Sequence, residues 1–139
     1  MRNQELVHMS RDQLDHEEHE TEVYARKVRE TKHSVVKLLY AKLMRDSMQH
    51  AEVLNCALGY LASNRWETLA PLNETKEEML RLMDMEEKAL RLFTTASAQV
   101  PDIHLKSLLT MLAFDEEQHY GMLKYVSENF VEKRSDISA

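Results

Sequence analysis

Glycine and proline are almost missing from this chain, with two of each in 139 residues. Turn-rich β folds draw heavily on both, because glycine supplies positive φ and proline pre-sets turn geometry. No segment sustains the period-two alternation of a half-buried strand either. The single cysteine, Cys56, excludes an internal disulfide and any Cys-rich zinc or rubredoxin-type iron site. It suits a reducing cytosol. No apolar run is long enough to span a bilayer, and Met1–Ser10 lacks the apolar stretch of a signal peptide. There is no basic stripe, no Gly-rich phosphate loop, no nucleophile elbow and no catalytic triad. The expectation is a cytoplasmic protein that engages neither nucleic acid nor membrane. The net charge of −6 serves either metal uptake or solubility, and solubility is the simpler account.

What remains is dominated by Leu, Met, Ala, Glu, Lys and Arg, all good helix formers. The chain is long enough to bury one core, so an all-α domain over residues 1–131 is expected, with a polar tail at 132–139. Apolar residues stepping by three and four mark four helices. Helix A runs from about Gln4 to Glu30, with Asn3, or a capping box of Ser10 and Gln13, at its start. Its inward stripe is Leu14, Glu17, Thr21, Tyr24, Val28, Thr31 and Val35. Helix B runs from about Ser34 to Leu61 or Ala62 and presents Val36, Leu39, Leu43, Ser47, His50 and Leu54. Asn73 is a plausible cap for helix C, which ends near Ala98 and presents Met79, Met83, Glu86, Leu90 and Phe93. Pro101-Asp102 ends it and caps helix D, from about Ile103 to Val131, whose stripe is Leu105, Leu108, Leu112, Glu116, His119 and Leu123. The hairpins cover about 4–62 and 73–131. The break at 63–72 could reach about 35 Å when extended, which permits a crossover along a bundle without requiring one.

A repeat organises these helices. Adding 69 to Glu17, Asp46 and His50 gives Glu86, Asp115 and His119, and seven further identities fall at the same offset without a gap. The pairs are Asp15–Asp84, Glu18–Glu87, Lys37–Lys106, Leu39–Leu108, Leu43–Leu112, Gln49–Gln118 and Leu54–Leu123. The chain is therefore two related helical hairpins. Glu116-x-x-His119 sets a carboxylate and an imidazole one turn apart on one face. Buried carboxylates are costly unless compensated, and cations such as iron or manganese compensate them while imidazole completes the shell. The repeat is broken at Ser47, which stands opposite Glu116, and at Glu20, which stands opposite Ala89.

On Glu17, His50, Glu86 and Asp115-Glu116-x-x-His119, the chain resembles the ferritin-like superfamily, and within it the rubrerythrin-type diiron proteins. The resemblance covers roughly Gln13 to Val126. It implies an up-down-down-up four-helix bundle with a long crossover between helices B and C. It implies a dinuclear carboxylate centre that holds iron, with manganese or zinc as alternatives, and an oxidoreductase chemistry with peroxide or dioxygen. Glu17, His50, Glu86, Glu116 and His119 would be its ligands. Asp46 and Asp115 would accept hydrogen bonds from His119 and His50. The rubredoxin domain of rubrerythrins proper has no counterpart here, so an electron donor would be a separate partner. Similar proteins often pair, and a homodimer is expected.

Ser47 leaves three outcomes open: one metal on the intact second half, two with altered coordination, or none. Glu20, one turn after Glu17, could restore the lost carboxylate or could face solvent with Glu18 and Glu22. The functional alternatives are a peroxidase-like or ferroxidase-like enzyme, metal handling or sensing without turnover, and a structural bundle with a degenerate site. His16 and His19 read as a solvated helix face, the nine methionines as core filling, Tyr24 as a core aromatic and Cys56 as a small buried residue.

Overall fold

In the computed structural model, residues 3–63 and 74–131 are described. They form four α-helices: α1 Asn3–Glu30, α2 Ser34–Ser63, α3 Lys76–Gln99 and α4 Ile103–Asn129. No strand occurs among the described residues, and the all-α class follows. The chain divides into two compact units, Met1–Leu69 and Ala70–Ala139. Within the first, α1 packs on α2; within the second, α3 packs on α4. Cross-seam pairs run in opposite senses. Glu17 meets His50 and Glu20 meets Ser47, while Glu86 meets His119 and Ser97 meets Thr110. Each unit is thus an antiparallel two-helix hairpin.

Local chemistry sets the helix ends. Thr75 starts α3 with a capping box: its hydroxyl accepts the Glu78 N–H at 3.2 Å, and its own N–H donates to the Glu78 carboxylate at 3.1 Å. The expected cap Asn73, the 63–72 break beyond Ser63, and the 132–139 tail lie outside the described residues. Asp102 caps α4 by accepting the Leu105 N–H at 2.8 Å, as its place after Pro101 predicts. At the start of α2 the Val36 N–H points to His33 Nδ1 at 3.4 Å. Asn3 and Ser10 both lie inside α1, so the Ser10–Gln13 capping box does not form. Gln13 is used elsewhere, on Glu17.

The predicted stripes line the seams unevenly. Met79 and Met83 are buried and Leu90 and Phe93 half-buried, while Leu39, Leu43, Leu105 and Leu112 lie on the exposed side of their stripes. The apolar stripe of an amphipathic helix is about 100° wide, and a single antiparallel partner covers mainly its centre. Cys56 is exposed, which corrects its expected burial: it lies near the end of α2, beside rather than on the seam. Tyr24 stacks on Tyr40 across the first seam, with ring centroids 6.3 Å apart. No helix among the described residues is long and apolar enough to cross a membrane.

Candidate metal centre

Buried polar side chains mark where chemistry interrupts the apolar seams. In the second hairpin, Glu86 comes from the middle of α3, and Glu116 and His119 come from successive turns of α4. His119 Nδ1 lies 3.4 Å from Glu86 Oε2 and 3.6 Å from Glu116 Oε2. The three donor atoms lie within 4.8 Å of one another. These separations are too long for strong hydrogen bonds, but they match a shared cation: donors about 2.1 Å from a tetrahedral ion stand about 3.4 Å apart. Glu116 and Glu86 are mostly covered and the His119 side chain is 50% exposed, so the group is anchored in the seam and open to solvent on one side. Among the described residues, no other set of three acidic, histidine or cysteine residues converges so closely.

The first hairpin arranges the equivalent positions differently. Glu17 is only 7% exposed. Its Oε1 accepts from Gln13 Nε2 at 3.1 Å and lies 3.3 Å from His50 Nδ1. Its Oε2 is buried with no hydrogen-bond partner. Burial is the largest single influence on this carboxyl and pushes its pKa up. The hydrogen bonds from Gln13 and His50, the charge of His50 and a contribution from Ser47 together outweigh burial, so the net shift is downward. Ser47, 4% exposed, donates its hydroxyl to Glu20 Oε2 at 3.4 Å. Glu20 Oε1 lies 3.1 Å from His16 Nε2.

No family model, curated protein or solved structure matches the chain. The site stands on its own geometry.

All six candidate ligands lie on seam-facing turns, in two groups. Glu86, Glu116 and His119 converge as a triad; Glu17 pairs with His50, and Glu20 with Ser47. Asp46, for which the resemblance implies a bond with His119, accepts from Lys42 Nζ at 2.9 Å, one turn away on its own helix. Two residues that the sequence reading placed elsewhere, Gln13 in a capping box and His16 on a solvated face, matter here. Gln13 holds Glu17, and His16 holds Glu20. Both are i,i+4 pairs on one helix face, a spacing visible in the sequence and hidden there by the acidic, histidine-rich run around it.

Proposed function

We propose that the chain is a metal-binding protein whose α3–α4 hairpin takes a divalent cation through Glu86, Glu116 and His119. The observation that carries this reading is the convergence of two carboxylate oxygens and an imidazole nitrogen from two helices within 4.8 Å. The donor set fits. Two carboxylates neutralise a divalent charge, and one imidazole adds a borderline donor, which suits iron or manganese and also admits zinc. A bound iron or manganese ion would supply one-electron chemistry toward peroxide or dioxygen, which makes a non-haem peroxidase or ferroxidase activity the finer form of the proposal. The side chains of the hairpin do the rest. Glu86 and Glu116 hold negative charge in the seam, and the i,i+3 spacing of Glu116 and His119 fixes their relation through the rigid backbone of α4. The exposed side of His119 leaves an approach for a small molecule. Reducing electrons would have to come from outside the α3–α4 hairpin, whose described residues hold no cysteine.

Anaerobic titration of the full chain with ferrous or manganous ion tests this. Glu116→Ala and His119→Ala are each expected to weaken binding by more than about tenfold, or 1.4 kcal/mol, with helix content unchanged. A wild-type chain that takes up neither ion ends the proposal. Addition of peroxide then separates catalysis from storage or sensing: oxidation of bound ferrous iron faster than of free iron supports an enzyme, and equal rates support metal handling without turnover.

A further inference from the structure

We propose that the outward face of α4 docks a second copy of the chain, with the two α4 helices antiparallel about a two-fold axis between Glu117 and Gln118. The homodimer that the resemblance implies carries no particular surface. The face, the direction and the contacts come from α4 itself, and they stand whether or not the α3–α4 hairpin holds a cation.

Two observations mark this face. First, α4 turns about 100° per residue, so Ile103, Phe114 and Tyr125 project away from the side that carries Glu116. Each is at least 60% exposed, and together they make an apolar stripe of the kind that marks an interaction surface. A hairpin of this design does not require it: in α2, built on the same repeat, Ser34, Arg45 and Cys56 hold these positions. Second, Gly121 lies on the same stripe. Glycine is a poor helix former, and a Cβ at Gly121 would meet nothing within 4 Å among the described residues. Neither packing nor backbone conformation there calls for a glycine. On an outward stripe it lets another helix approach closely.

The symmetry of the stripe identifies what approaches. Phe114 lies three positions before Glu117, and Gly121 three positions after Gln118. Antiparallel copies therefore set Phe114 of each against Gly121 of the other, a large side chain into a notch. Thr110 and Tyr125 lie seven positions outside the same pair, so Tyr125 of one copy faces Thr110 of the other. A solvent-open cavity of about 590 Å³ lies there, lined by Ile103, Lys106, Ser107, Thr110, Met111 and Phe114, with room for an aromatic ring. Charge fits in the same way. Lys106 and Glu128 flank one side of the stripe at its two ends, and antiparallel copies bring each cation to the other's carboxylate. Glu117 meets its own copy near the axis as a like charge, which limits the affinity. A foreign helix would need no such match between the two halves of one stripe.

Sedimentation equilibrium of the full chain, with chelator present, tests this. The wild type is expected to be a dimer at micromolar concentration. Phe114→Glu and Gly121→Leu are each expected to weaken it by more than about tenfold, with helix content by circular dichroism unchanged. Leucine is a better helix former than glycine, so loss of the dimer in Gly121→Leu is not loss of the fold. Lys106→Glu should also weaken the pair. Adding Glu128→Lys should restore it, a rescue that only the antiparallel direction allows. Glu117→Gln should tighten it. A wild type that is monomeric at that concentration overturns the inference; its adsorption to phosphatidylserine vesicles, lost in Phe114→Glu, would assign the face to a membrane instead. A dimer that neither Phe114→Glu nor Gly121→Leu weakens uses another face and overturns the inference as well.

Discussion

Glu17 shows how a single side chain is held between opposed forces. Its burial favours the neutral acid, and its donors favour the carboxylate; the donors win, and the pKa falls below the ordinary value near 4.5. The sign of the linkage follows. A folded-state pKa below the unfolded one contributes stability that is present above the unfolded value and disappears as pH drops through the folded value. In the cation-free protein, Gln13→Leu removes one donor and keeps the burial. The Glu17 pKa is then expected to move upward, measured by carbon-detected NMR titration of its carboxyl. The acid limb of the stability curve should move upward in pH with it. An unchanged Glu17 titration would mean that Gln13 contributes nothing to holding the charge.

Helices α3 and α4 begin at side-chain caps, and these set the registers that bring Glu86 opposite His119. Thr75 closes a reciprocal capping box with Glu78, satisfying two backbone donors that the first turn otherwise leaves open. Thr75→Ala is expected to cost about 1 kcal/mol, seen as a lower urea midpoint with an unchanged slope, and Thr75→Ser should recover most of it. Asp102 caps α4 from its place after Pro101 with a single bond, accepting the Leu105 N–H. The cost of moving either cap is larger for the site than for the helix. A register slip of one residue turns a side chain by about 100°, enough to take Glu86 or His119 off the seam.

At the scale of the described residues the apolar core is thin. Among the described residues only Met79, Met83 and Val131 are buried hydrophobics, while Leu92, Phe114 and Tyr125 are among the large apolar side chains that are at least 60% exposed. Polar groups occupy seam positions that a purely structural hairpin would fill with leucine: Ser10, Glu17, Ser47 and Ser97 are all buried. A ligand that binds only the folded state then has a large relative effect. At a free concentration one hundred times its dissociation constant, a cation adds about 2.7 kcal/mol. For a chain of this length that is a rise in melting temperature on the order of 10 °C. Thermal unfolding followed by circular dichroism, with manganese or with chelator, is expected to show this rise and its reversal. Equal melting temperatures in both conditions would count against cation binding to the folded chain.

The amino-acid sequence by itself determined the four helices, their breaks and the pairing of related residues in two hairpins. These follow from local propensity, from the three-and-four periodicity and from an offset that needs no gap. Pro101-Asp102 could be read directly, whereas Thr75 was missed because Asn73 offered an equally good cap two residues earlier. The i,i+3 relation of Glu116 and His119 was legible for the same reason: it is local. Only the tertiary structure decided which carboxylates meet which imidazoles. That depends on the register of two helices across a seam, and no periodicity within one helix encodes it. The sequence left Glu20 between solvent and interior; the packing of α1 on α2 set it against Ser47. It also left one oxygen of Glu17 buried and unpartnered, because enclosure is a property of the assembled seam and of no single helix.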